Sequence, residues 1–120
     1  MSKDRPPEVS KRRYASFLDA HNVDGSLVQG KASAVLEAVL TDEDNQPLHG
    51  QTIYFTVSGS GKDLGNAPTN HDGIAKLESG QKILDLQTTV FGAASGYEAE
   101  FKGSANFTAS KAHGRINATF

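Results

Sequence analysis

A chain of 120 residues with no cysteine and a formal net charge of −2 has the size of one domain. It can bury roughly two thirds of its unfolded surface without a disulfide or a metal to hold it. The missing thiols exclude cysteine catalysis and zinc–thiolate sites, and the mildly acidic balance argues against a nucleic-acid binder.

The charge is uneven. Residues 1–13 hold Lys3, Arg5, Lys11, Arg12 and Arg13 against Asp4 and Glu8, a net +3 that leaves −5 on the remainder. With Pro6-Pro7 and little apolar content, residues 1–12 read as a flexible basic lead-in to a single domain over 13–120. A solvated tail is the plainer reading of this segment, and an anchor for an acidic partner the sharper one. No apolar run reaches the length of a signal-peptide core or a membrane span. An exported protein would need its address elsewhere, so a cytoplasmic location stays open.

Tyr14, Phe17 and Leu18 form the first apolar cluster, read as a short strand although the spacing also suits one helical turn. Asn22-Val23-Asp24-Gly25-Ser26 reads as a turn. From Ala32 to Thr41, residues Ala34, Leu36, Ala38 and Leu40 share one face. Helix is the rival here because Ala and Leu are good helix formers; the neighbouring strands tip the choice.

The acidic segment Asp42-Glu43-Asp44-Asn45-Gln46-Pro47-Leu48-His49-Gly50 is a turn. After it, Ile53, Phe55 and Val57 alternate with Tyr54 and Thr56, the clearest strand in the chain. Ser58-Gly59-Ser60-Gly61 breaks it. A second turn, Thr69-Asn70-His71-Asp72-Gly73, launches Ile74–Glu78, where Lys76 suits an edge. Alternation returns over Leu84–Phe91 and again over Tyr97–Lys102, with Ala105 and Phe107 continuing the series. His113-Gly114 then precedes a last strand containing Ile116, Ala118 and Phe120, expected to pair near Ala105–Ala109. Short strands joined by polar, glycine-punctuated turns predict an all-β, antiparallel sandwich of seven to nine strands.

These turns resemble the group 1 bacterial immunoglobulin-like domains, the repeating modules of invasin and intimin. That family carries a strand ending in Asp, a polar turn with Gly-Asn-Pro-Val, a Gly and a Val-x-Phe strand; then follow Thr, a few polar residues and Gly-x-Ala. Asp42, Pro47, Leu48, Gly50, Ile53 and Phe55 occupy the first part here. Thr69, Gly73 and Ala75 occupy the second, Phe107 resembles the closing aromatic, and the match covers roughly residues 23–108. Asn45 stands at the family's turn glycine and is the next most tolerant residue for a left-handed backbone. Transthyretin-like modules share much of the same turn pattern. The resemblance implies an immunoglobulin-like sandwich without cofactor or catalysis, acting at a cell surface as a spacer or a protein-binding adhesion domain. Asn45, Pro47, Gly50 and Gly73 would be its structural turn residues.

Other chemistry finds thinner footing. Asp42 and Asp44 are weak calcium candidates, because an EF-hand loop starting at Asp42 would need Gly where Pro47 stands and Glu where Ile53 stands. The four histidines, His21, His49, His71 and His113, all fall at predicted turns. Two of them meeting a carboxylate such as Asp72 would make a metal site, against the plainer reading of exposed loop residues. Exposed aromatics bind glycans in some sandwiches, which makes Tyr54 and Tyr97 the residues of an alternative carbohydrate-binding reading.

Overall fold

The computed structural model describes residues 13–28, 31–78 and 96–119. Among them there is no helix, and none of the chain described is a helix long and apolar enough to cross a membrane. Nine strands are present among the described residues: β1 Ser16–Ala20, β2 Val23–Val28, β3 Lys31–Asp42, β4 Thr52–Val57, β5 Asp63–Pro68, β6 Ile74–Glu78, β7 Tyr97–Phe101, β8 Ser110–Gly114 and β9 Ile116–Thr119. The expected alternation over Leu84–Phe91 lies outside the described residues, as does the lead-in 1–12.

Two sheets face each other. In one, β3 is central, with β1 antiparallel along one side and β6 antiparallel along the other. The other runs β5-β4-β7-β8, antiparallel throughout. The alternating strands point one face of each sheet inward. Leu36, Ala38 and Leu40 of β3 meet Ile53, Phe55 and Val57 of β4 and Tyr97, Ala99 and Phe101 of β7, all buried. Burying such side chains stabilises the fold by about 1.5–3 kcal/mol for each large residue, the main reason the layers stay together.

β3 is long enough to serve two partners in sequence. Its C-terminal half pairs with β1 and its N-terminal half with β2, and the four residues between Ala20 and Gly25 oppose the three between Ala38 and Ala34. The extra residue is a bulge, which bends the strand and breaks the ladder locally. The Tyr97 hydroxyl pins that bulge. It donates between the backbone oxygens of His21, 2.6 Å away, and Glu37, 2.9 Å away, while His21 N–H also donates to Glu37 O.

Several expectations change. β2 occupies the segment read as a turn, and β5 was hidden by Gly65 and Pro68, residues that weaken a strand signal. The final strand β9 runs parallel to β2, pairing Val23 with Ile116 and Ser26 with Thr119, rather than joining Ala105–Ala109. That latter segment is a bend whose Phe107 makes a single bridge to Tyr14, with the two rings 6.5 Å apart. Among the described residues, pairing is antiparallel for β1, β2 and β6 on β3 and throughout the four-stranded sheet, and parallel at the β2–β9 pair and at the Tyr14–Phe107 bridge.

Candidate functional site

The turn residues singled out in the sequence come together at one end of the sandwich. Asp42 Oδ1 accepts the backbone N–H groups of Asp44 and Gln46 at 2.8 and 2.9 Å, folding the acidic segment back on itself. Asn45 sits at φ 65°, the left-handed region that its short polar side chain tolerates. Pro47 bridges to Thr41, and Leu48 N–H donates to Leu40 O at 3.0 Å. The second turn closes on the same residue from the other direction, because Leu40 N–H donates to Gly73 O at 2.8 Å.

Gly73 is where the two turns touch. Its φ is 76°, and a Cβ there would lie 2.5 Å from Leu40 O and 3.1 Å from Pro47 Cβ. Gly50 needs glycine for its backbone alone, with φ 78° and open space around the missing Cβ. Thr69 ties the ends together: its hydroxyl donates to Leu48 O at 2.6 Å and accepts from Gln51 N–H at 2.9 Å. Asn70 Oδ1 accepts from Asp72 and Ile74 N–H, shaping the remaining turn. The side chains of Asp42, Thr69 and Asn70 thus satisfy backbone groups that would otherwise be orphaned.

Asp42, one of the calcium candidates, is used in closing this assembly. One of its oxygens is committed to two N–H donors, and a cation there would face both. Asp44 is exposed beside it, and among the described residues no three His, Cys, Asp or Glu side chains are arranged to hold a metal.

The glycan candidates separate. Tyr97 is not an outward residue, because its strand places it with Ala99 and Phe101 on the buried face, and its exposure is 0%. Burial pushes its hydroxyl up to about 12, with the charges of Glu37 and Asp19 adding to the rise. Tyr54 does face outward, half-buried on the four-stranded sheet in a row with Asn66, Glu100 and Lys111. Lys102 Nζ lies 4.2 Å from the centre of its ring, a cation–π contact that covers one ring face.

The histidines also divide. His113 lies within β8 rather than in a turn. His21, at the bulge, has its Nδ1 3.1 Å from Glu37 Oε1, and Lys76 Nζ stands 4.0 Å from Glu37 Oε2. This charged row on the outer face of β1-β3-β6 was not read from the sequence, since only the β3–β6 register places Lys76 opposite Glu37. His49 and His71 meet, with ring centroids 4.1 Å apart.

No protein-family model matches the chain, and neither a curated protein nor a solved structure matches it significantly.

Proposed function

We propose that this chain is a non-catalytic immunoglobulin-like module of the invasin type, acting at a cell surface as a spacer or protein-binding adhesion domain. The order β1-β3-β6 facing β5-β4-β7-β8 supports the immunoglobulin-like assignment, with the strands taken as A-B-E facing C′-C-F-G. The motif residues add to it. Asn45, Pro47, Gly50 and Gly73 lie in the turns that close one end of the sandwich, which is the role that the resemblance implies for them.

The parallel β2–β9 pair carries the spacer reading. Force entering before β1 and leaving after β9 pulls these neighbours in opposite directions along their length. Their ladder is then loaded in shear, so its hydrogen bonds share the load and must give way together. Antiparallel neighbours pulled from one shared end would unzip bond by bond. The protein-binding version draws on the sheet edges, where an extended segment adds through main-chain bonds.

Single-molecule pulling tests this. The chain has no cysteine of its own, so handles at Asn22→Cys and Arg115→Cys, which adjoin at the start of the β2–β9 pair, report the peeling geometry. End-to-end pulling is expected to need several-fold more force than pulling through these handles. Equal forces in the two geometries would overturn the spacer reading.

The carbohydrate alternative keeps one residue, Tyr54. Tyr97 is buried and Lys102 covers one face of Tyr54, so these two residues do not form a pair of free aromatic faces to clamp a sugar ring.

A further inference from the structure

We propose that His49 and His71 form a two-imidazole site for a borderline divalent transition metal such as Zn2+, Cu2+ or Ni2+. The rings come from different turns, the first following Leu48 and the second preceding Asp72. They stack with centroids 4.1 Å apart and planes 31° from parallel. Both residues are exposed. Among the described residues neither ring makes a hydrogen bond or an ion pair, so no protein partner there competes for their nitrogens.

The backbone beneath the rings is fixed independently of them. Gly50 N–H donates to Thr69 O and Gln51 N–H to Thr69 Oγ1, both at 2.9 Å, and Thr69 Oγ1 donates to Leu48 O at 2.6 Å. On the far turn, Asn70 N–H donates to Ile74 O and Gly73 N–H to Asn70 O, each at 2.9 Å. The backbone that carries the two imidazoles is therefore held in place by bonds that do not involve either ring. Little chain entropy is left to lose when an ion joins them, which is the usual obstacle to a two-ligand site.

The separation suits an ion. Metal–imidazole bonds of about 2.0–2.1 Å at a tetrahedral angle place two ligating nitrogens about 3.4 Å apart. Imidazole lone pairs lie in the ring plane, so an ion is shared when the two exposed side chains turn out of their stack, and centroids only 4.1 Å apart put both rings within reach of that spacing. Imidazole favours zinc, copper and nickel over calcium and magnesium, which prefer oxygen. No third His, Cys, Asp or Glu converges on the pair among the described residues. The remaining coordination positions then belong to water, and the affinity is that of a bidentate site. Ligation needs neutral imidazoles, so binding weakens on acidification as protons compete for the same nitrogens.

The test titrates the purified chain with Cu2+ and with Zn2+. Substoichiometric Cu2+ is expected to broaden the imidazole NMR signals of His49 and His71 first, leaving His21 and His113 sharp. Calorimetry with Zn2+ is expected to give one ion per chain, and H49Q or H71Q each to weaken binding by about 10-fold or more, with H113Q unchanged. Both rings are exposed, so the variants should keep the wild-type unfolding midpoint, and circular dichroism checks this. Broadening spread evenly over all four histidines, or an H49Q variant that binds as the wild type does, would overturn the site. One ion per two chains, with dimerisation on adding metal, would overturn it as a self-contained site.

Discussion

Gly73→Ala is expected to lower the unfolding free energy by about 2–5 kcal/mol, as much as a third or more of a typical domain's stability. Two effects add. A left-handed backbone costs a residue with a Cβ about 1–2 kcal/mol, and forcing atoms into a filled space costs about 1–3 kcal/mol more. The space is filled by atoms that cannot swing aside, a backbone oxygen of β3 and the ring of Pro47. Asn45→Gly is the companion measurement. It keeps a left-handed conformation at an exposed position, and the change should stay below about 1 kcal/mol. Urea unfolding of the two variants beside the wild type gives both numbers. A Gly73→Ala midpoint equal to wild type would mean that the two turns do not pack as described.

Tyr97→Phe should cost about 1–3 kcal/mol at neutral pH, because it leaves a buried carbonyl without its donor. His21 O loses its 2.6 Å partner, whereas Glu37 O keeps the His21 N–H. A second signature separates this from simple loss of packing. The folded hydroxyl is raised from 10.0 to about 12, so above pH 10 the unfolded chain gives up this proton while the folded chain still holds it. The stabilisation is complete below pH 10 and is lost as pH rises from 10 to 12, by an amount on the order of 2–3 kcal/mol. The difference between wild type and Tyr97→Phe should therefore shrink over that window. A difference that stays constant up to pH 12 would show that the hydroxyl is not held as the geometry indicates.

The sequence carried most of the layered architecture because half-buried strands repeat every two residues. Leu36, Ala38 and Leu40, then Ile53, Phe55 and Val57, all reach the core that their alternation predicts. Asn45 takes the left-handed conformation expected of a glycine substitute. What stayed hidden depends on long-range register. Gly25 and Ser26 look like turn residues locally, and become strand only because β3 and β9 lie on either side of β2. Gly65 and Pro68 disguised β5 in the same way. Tyr97 lies in the core, against the expectation of an exposed glycan-binding ring. The alternation of Tyr97, Ala99 and Phe101 is the local signal for that burial, since every second residue of a strand shares a face. The meeting of His49 with His71 had no local signal beyond their both standing in turns, since it requires the two turns to be tied together through Thr69.

The parallel β2–β9 clamp is the core of the functional account, and a crosslink across it is the most direct test. Gly25 and Ala118 are paired in its register, so Gly25→Cys with Ala118→Cys should form a disulfide on oxidation, neighbouring strands lying about 4.8 Å apart. Pulled end to end, the reduced variant should resist at the shear force and then extend fully. The oxidised variant should instead keep the chain between the two cysteines locked, with a correspondingly shorter extension. Failure to crosslink under oxidation, or a high-force event that survives when β9 is removed from the ladder by Ala118→Pro, would contradict the clamp and the spacer reading built on it.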